Sequence, residues 1–195
     1  MNFKKLIGLI MILFFQVSCS KLTPKEYLKW IQDYKNELHV QKNVGEYSFD
    51  LQYQPLEYKW LLQQDEASLT QIPDFQKDSL SDIQYYLLTI GLQNKDIDVI
   101  DYGLEDISQK QQKLYYFSYE FEHHINLEEG SKVLPCVLFH FEKPLDLKHS
   151  RTFILGFENP IKNSKEATLV IQSEYFGALP VKIKVKKNNI PELKI

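Results

Sequence analysis

The sequence has few cysteines, few glycines and no long apolar stretch. Of its 195 residues, two are cysteine and seven are glycine. It contains no Gly-x-Ser-x-Gly, no His-Glu-x-x-His and no glycine-rich phosphate loop, which are the signatures of common hydrolases, metalloproteases and nucleotide-binding enzymes. Its longest apolar run, at residues 6–15, is about ten residues, too short for a helix that crosses a bilayer of roughly 30 Å. The sequence therefore gives no support to an enzyme or to a polytopic membrane protein, and we expect a non-enzymatic protein.

An excess of basic residues is also lacking. The chain has 23 lysines and arginines against 26 aspartates and glutamates, which gives a formal net charge of −3. Proteins that bind nucleic acid carry a basic surface that neutralises phosphates. The charge balance therefore argues against a nucleic-acid partner and against a polybasic membrane-surface site.

The first nineteen residues have the pattern of an export signal. Lys4 and Lys5 precede the apolar run, and Val17-Ser18-Cys19 follows it. This arrangement resembles the signal peptide and lipobox of bacterial lipoproteins, with Gln16 at the position where leucine is usual. An ordinary signal peptide with a chance cysteine and an uncleaved signal anchor are the alternatives.

The resemblance implies cleavage before Cys19 and a diacylglyceryl thioether on that residue. We therefore expect residues 1–18 to be a signal peptide, 19–23 a lipidated tether and 24–195 a single soluble domain, with a membrane as the first partner. Removal of the signal removes two lysines and no acid, so the net charge becomes −5. The expected location is the cell envelope, on the periplasmic face of the outer membrane, and the covalent lipid is the only cofactor expected.

If lipid occupies Cys19, Cys136 is left without a cysteine partner in the chain. A single thiol cannot form an internal disulfide, even in an oxidising compartment. Cys136 lies in an apolar segment, so we predict a buried small side chain. An intermolecular disulfide or a reactive thiol is the alternative.

The N-terminal part of the expected domain, residues 24–66, reads as helix, strand and helix. Thr23 and Glu26 form a capping box around Pro24, which predicts a helix over 24–37. Strict alternation of large apolar or aromatic residues with polar ones predicts a strand over 46–54. Pro55 ends that strand and begins a short helix to about residue 64, followed by a polar loop over 67–82.

The second part, residues 83–195, reads mainly as strand. A near-continuous apolar run predicts a strand over 84–92. Alternating patterns and turn signals predict further strands over 113–125, 133–142, 151–158, 167–173 and 181–186. About seven short strands with turns between them favour an antiparallel β-sandwich with two N-terminal helices. A single sheet covered by helices, an α+β fold, is the alternative.

Two groups of residues are candidates for binding. If 113–142 is a strand hairpin, five side chains share one face and could hold zinc; they are Glu120, Glu122, His124, His140 and Glu142. A solvated sheet face explains the same residues. Aromatic side chains could line a groove for sugars or peptides, or they could simply pack in the core; these are Trp30, Tyr58, Trp60, Tyr85, Tyr86, Tyr115 and Tyr116.

Taken together, these patterns predict a membrane-anchored envelope protein that binds a protein or another envelope component. A binder of a small molecule, glycan or metal ion is the second interpretation, and an envelope hydrolase is the third.

Overall fold

The computed structural model describes residues 21–64, 82–94, 96–142, 149–161 and 164–194. Two parts of the sequence analysis lie outside the described residues. They are the first twenty residues, which include Cys19, and the loop predicted over 67–82, of which only Asp82 is described. The helices are α1 Pro24–Gln32, α2 Leu56–Leu61 and α3 Ile107–Tyr115. The strands are β1 Lys21–Leu22, β2 His39–Val44, β3 Tyr47–Gln54, β4 Ile83–Leu92, β5 Ile125–Glu129, β6 Lys132–Phe141, β7 Arg151–Glu158, β8 Glu166–Ile171, β9 Val181–Lys186 and β10 Glu192–Leu193.

Eight of the strands form one antiparallel sheet in the order β2-β3-β4-β7-β6-β5-β8-β9. The sheet curls until its two edge strands approach each other. The Lys42 ammonium group on β2 donates to the Lys182 carbonyl on β9 at 2.6 Å, and the Lys186 N–H donates to the Glu37 carbonyl at 2.9 Å. The sheet is therefore nearly closed into a barrel, and this near-closure leaves little unpaired strand edge.

The prediction of a mainly β, antiparallel fold is confirmed. The two-sheet sandwich is not confirmed, because one continuous sheet contains eight of the ten strands and β1 pairs only with β10. Alternation along a strand shows that one face is buried, and a sandwich and a barrel share that property. The sequence pattern therefore could not distinguish the two architectures.

The inward side chains of the barrel form one apolar cluster. Successive strand residues point to opposite faces, so alternate residues of β3, β4, β7, β8 and β9 are buried. On the outer face the strands pack closely at Gly156, where a Cβ atom would come within 2.9 Å of the Leu138 Cβ and 3.1 Å of the Ile83 Cγ2. Residues at the centre of the inner cluster include Phe49, Leu51, Tyr86, Leu88, Ile90, Leu127, Phe153, Leu155, Phe157, Leu169, Ile183 and Val185.

We call the end of the barrel near Gln54, Ile83 and Lys187 the proximal end, because the N-terminal strand packs beside it. There α1, α2 and Leu38 form a second apolar cluster that Leu22 and Tyr53 join. Strand β1 pairs in parallel with β10, so both ends of the described chain lie here. The buried members of this cluster are Tyr27, Ile31, Leu38, Tyr58, Trp60 and Leu61.

The opposite, distal end is closed by a helical segment. Helix α3 continues into a π-helical turn over Tyr116–Glu120 and a 3-10 helix over Phe121–His124. Phe117 and Phe121 from this segment are buried and contact the Phe153 ring, at 5.9 and 5.1 Å between centroids. The predicted strand over 113–125 is therefore wrong, except for its last residue.

The other predicted elements are largely confirmed. Helix α1 begins at Pro24, and the Glu26 carboxylate accepts from the Thr23 N–H at 3.0 Å, as the capping box requires. The helix ends at Gln32, before the predicted boundary, because Asp33 is extended, with a ψ of 119°, and its side chain then caps a separate 3-10 turn over Tyr34–Asn36. Strand β2 was not predicted from the sequence.

Candidate functional site

The proximal end of the barrel contains an open cavity of about 530 Å³. Its walls come from the end of β3, the start of α2, the start of β4, the β7–β8 loop and the segment after β9. Pockets that bind small molecules commonly have volumes of about 300–1,000 Å³. The cavity is thus large enough for a small ligand, and it lies where five separate segments of the chain meet.

A buried polar network forms the floor of this cavity. The Lys187 ammonium group donates to the Glu129 carboxylate at 2.5 Å and to the Gln84 side-chain oxygen at 3.1 Å. The Gln84 amide nitrogen donates to Glu129 at 3.2 Å and to the Glu158 carbonyl at 3.0 Å. The Tyr86 hydroxyl donates to the Gln84 oxygen at 2.8 Å. The network therefore links β4, β5, β7 and the end of β9.

The Lys187–Glu129 ion pair is buried, unlike the exposed ion pairs on the surface of the barrel. The Lys187 side chain is 6% exposed and that of Glu129 is 0% exposed. A charge with so little solvent contact requires a partner, because an isolated buried ion is strongly disfavoured. Here each charge compensates the other and Gln84 bonds to both. No local pattern in the sequence indicates this pair, since the two residues lie 58 positions apart.

The tyrosines beside the network stay protonated at neutral pH. Burial, followed by the nearby charges of Glu57 and Glu129, raises the pKa of Tyr53 to about 12. Burial also raises the pKa of Tyr86 well above its ordinary value. Their hydroxyl groups are therefore hydrogen-bond donors and acceptors here, and neither is suited to act as a base.

A smaller cavity of about 360 Å³ lies at the distal end, lined in part by Tyr47, Tyr102 and Tyr175. Lys113 is 2% exposed, and its ammonium group donates to the Tyr102 carbonyl at 2.9 Å. The same group lies 5.5 Å from the centre of the Tyr175 ring. Burial lowers the pKa of Lys113, although Asp98 and Asp101 act in the opposite direction. Lys113 thus holds the loop before α3 against the barrel end.

Helix α3 and the π-helical turn expose an uncharged face to solvent. Lys113, Phe117 and Phe121 occupy the buried side, so the residues on the opposite side point outward. We call this outward surface the α3 face. Its largest exposed members are Ile107, Leu114, Tyr115 and Tyr119, with 77%, 43%, 58% and 64% of their surface exposed, and Gln111 lies between them.

The two tyrosines of the α3 face are in contact, with ring centroids 5.2 Å apart. Exposed apolar side chains that lie together, rather than singly, mark interaction surfaces. Tyrosine in particular is enriched in protein interfaces, because its ring gives contact area and its hydroxyl gives a hydrogen bond. The α3 face therefore has the composition of a protein-binding surface.

A histidine–aspartate pair joins α1 to the sheet. His39 Nε2 lies 2.5 Å from the Asp50 carboxylate, and its Nδ1 lies 2.9 Å from the Gln32 carbonyl. The Tyr34 hydroxyl donates to Asp50, and its ring stacks on His39 with 3.9 Å between centroids. Both ring nitrogens face oxygen acceptors, so the arrangement favours the doubly protonated, charged imidazolium ring.

The pKa of His39 is raised and the pKa of Asp50 is lowered. Burial acts to lower the pKa of His39, but the hydrogen bonds to Asp50 and to Gln32 outweigh it, and the net pKa is raised. Burial acts to raise the pKa of Asp50, but the hydrogen bonds from His39 and Tyr34 outweigh it, and the net pKa is lowered. Both shifts favour the ion pair, which links the end of α1 to the sheet.

The structure does not place the five metal-ligand candidates on one strand face. Glu120 lies in the π-helical turn, Glu122 and His124 in the following 3-10 helix, His140 on β6 and Glu142 just after it. The helical conformation removes the alternation on which the prediction depended. In the ranges that the structure describes, no group of three or more histidine, cysteine or acidic side chains could hold a metal ion.

The aromatic candidates divide between the two ends of the barrel. Tyr58 and Trp60 are buried in the proximal cluster, where Trp30 packs against them. Tyr86 is buried inside the barrel, whereas Tyr85 lines the proximal cavity with a Lys59 ammonium group 3.6 Å from its ring centre. At the distal end Tyr115 is exposed and the Tyr116 hydroxyl donates to the Ser173 oxygen at 2.7 Å. They form no single groove.

Cys136 is half-buried on β6, and its thiol donates to the Leu138 carbonyl at 3.1 Å. Burial raises the pKa of Cys136 to about 11, in spite of opposing hydrogen bonds to the backbone. Since the thiolate is the reactive form, the thiol is protected at neutral pH.

Comparison with known proteins gives no family for this chain. It matches no protein-family model, no curated protein and no solved structure. Within the described ranges, no helix has both the length and the apolar character needed to cross a membrane. Function must therefore be argued from the geometry of the molecule itself.

Proposed function

We propose that the protein is a non-enzymatic lipoprotein of the bacterial envelope that is anchored through lipid on Cys19 and binds a protein partner. The anchor is inferred from the lipobox-like residues before and at Cys19. The partner-binding role is carried by one observation, the exposed and uncharged α3 face. The periplasmic side of the outer membrane is the proposed location.

The position of the α3 face supports this role. Lys21 lies two residues after Cys19, and its strand pairs with β10 beside the proximal end. The α3 face lies at the distal end of the barrel. Strand β4, with ten residues, runs between the two ends, and a strand of that length spans about 30 Å. A lipid at Cys19 would thus hold the proximal end near the bilayer and present the α3 face away from it.

The chemistry of the α3 face indicates the kind of partner. Its apolar side chains would gain free energy when a partner removes them from water, at about 25 cal/mol per Å². A partner with an aliphatic or aromatic surface fits this face better than a strongly charged one. Tyr115 and Tyr119 are the expected centre of the contact, because paired aromatic rings commonly dominate the binding energy of interfaces.

Lipid anchoring has a direct test. Two or three acyl chains give stable membrane attachment, whereas one gives marginal attachment. Cys19→Ala should therefore move the exported protein from the membrane fraction to the soluble fraction. A variant that still sediments with membranes after a high-salt wash would refute lipid anchoring.

Partner binding is tested by site-specific photocrosslinking in intact cells. A photoreactive amino acid at Tyr119 should give one discrete protein adduct, and the adduct should disappear when Leu114→Glu is added. The matched control places the same amino acid at Val133, which is 65% exposed on β6, away from α3. Equal adducts at both positions, or an adduct that persists with Leu114→Glu, would contradict binding at the α3 face.

A further inference from the structure

We propose that the proximal cavity is a binding site for a neutral, hydroxyl-rich ligand of the size of a sugar. The proposal is independent of partner binding at the α3 face. It depends on three properties of the cavity: a charged but compensated floor, amide side chains from two further segments, and aromatic rings in the wall.

The floor supplies strong hydrogen-bonding groups without net charge. Lys187 lines the cavity, and Glu129 lies directly beneath it with 0% of its side chain exposed. An ammonium group has three N–H donors, and Glu129 and Gln84 account for two of them. Hydrogen bonds that involve a charged group are roughly twice as strong as neutral ones. Lys187 can thus bind a hydroxyl group while its charge stays compensated.

The walls add neutral donors and acceptors. The amide groups of Gln54 and Asn189 come from β3 and the segment after β9. The Gln84 amide also lines the cavity, but its hydrogen bonds are already made to Lys187, Tyr86, Glu129 and the Glu158 carbonyl. An amide both donates and accepts, so amides from different directions match the alternating donor and acceptor capacity of vicinal hydroxyl groups. Tyr53 and Tyr85 also line the cavity and add apolar ring carbons to its wall, although the Lys59 ammonium group covers one face of the Tyr85 ring.

Charge argues against an anionic ligand. The positive charge of Lys187 is already neutralised by Glu129, and the Glu57 carboxylate on the cavity wall is balanced in sign by the Lys59 ammonium group over the Tyr85 ring. The described residues around the cavity therefore offer a phosphate or carboxylate group no uncompensated cation. A neutral ligand avoids the cost of desolvating its own charge.

The test uses three probes that share one sugar ring and differ in charge: one is neutral, one is cationic and one is anionic. They are N-acetylglucosamine, glucosamine and N-acetylglucosamine 6-phosphate, each titrated into the isotope-labelled Cys19→Ala protein and followed by NMR chemical shifts. We expect the neutral sugar to shift resonances of Gln54 and Gln84, with a dissociation constant in the millimolar range. The phosphate should bind about tenfold more weakly or worse, because no uncompensated cation offsets the loss of its hydration.

Two variants decide whether the cavity itself binds. Ile161→Trp fills the cavity and should abolish the shifts, whereas Val137→Trp is the matched control on the exposed surface of β6 and should leave them unchanged. Gln54→Leu keeps the cavity open but removes one amide, and should weaken binding by up to about tenfold. Thermal unfolding checks that each variant folds.

Binding of the neutral sugar that Ile161→Trp abolishes and Val137→Trp preserves supports the proposal. Absence of shifts with the neutral sugar, tighter binding of the charged probes, or equal losses in both tryptophan variants would overturn it.

Discussion

Removal of the Lys187 charge should destabilise the barrel far more than removal of the whole ion pair. Lys187→Met keeps most of the side-chain volume but leaves the fully buried Glu129 carboxylate with Gln84 as its remaining side-chain partner. Loss of one member of a buried pair typically costs about 3–5 kcal/mol. For a domain of this size that corresponds to a fall of about 10–15 °C in the midpoint of thermal unfolding.

The double variant Lys187→Met/Glu129→Leu supplies the comparison. It removes both buried charges, so it should recover much of the lost stability, because apolar replacement of a whole buried pair is often neutral or favourable. Urea denaturation at pH 7 measures the free energy of unfolding of Lys187→Met, Glu129→Leu, the double variant and the parent. The coupling between the two sites should be about 2 kcal/mol or more. Additive losses, or a cost below about 1 kcal/mol for Lys187→Met, would refute the reasoning.

The pKa of His39 is raised above 6.5, so its contribution to the free energy of unfolding is complete below pH 6.5 and is lost as pH rises through the raised pKa. The pKa of Asp50 is lowered below 3.8, so its contribution is complete above pH 3.8 and is lost as pH falls through the lowered pKa. The stability difference between the parent and His39→Gln should therefore shrink at alkaline pH, and a difference that grows would contradict this. Gly156→Ala should cost about 1–3 kcal/mol from the close contacts on the outer sheet face, whereas Gly91→Ala, with 3.4 Å to its nearest neighbour, should cost less in the same denaturation assay. With a pKa of about 11, Cys136 in the Cys19→Ala protein should react slowly with iodoacetamide at pH 8 and rapidly in urea, and equal rates would show that burial does not protect it.

The elements with one clear local signal could be predicted from the sequence. Strand β3 alternates strictly, and the capping box at Thr23 and Glu26 marks the start of α1. The segment over 113–121 fits two patterns at once, because its aromatic residues alternate while Lys113, Phe117 and Phe121 also recur every fourth residue. The helical pattern is the one the structure uses.

A cap signal before that segment could have resolved the ambiguity. The Asp106 carboxylate accepts from the Gln109 N–H at 2.9 Å, as an N-cap residue does. By contrast, no local pattern could have indicated the floor of the proximal cavity. Gln84, Glu129 and Lys187 come together only when the sheet curls and its last strand reaches the first, and that closure depends on the whole chain.

The pairing of β1 with β10 has a mechanical consequence. If the chain is held through residues before Lys21, a pull on that tether acts first on the two-residue strand pair, its exposed Lys21–Glu192 ion pair and the bond from the Lys194 N–H to the Leu22 carbonyl. These few contacts are much weaker than the ladders of the eight-stranded sheet. They would separate first under load and lengthen the tether, while the barrel, with its cavity and its α3 face, stays folded.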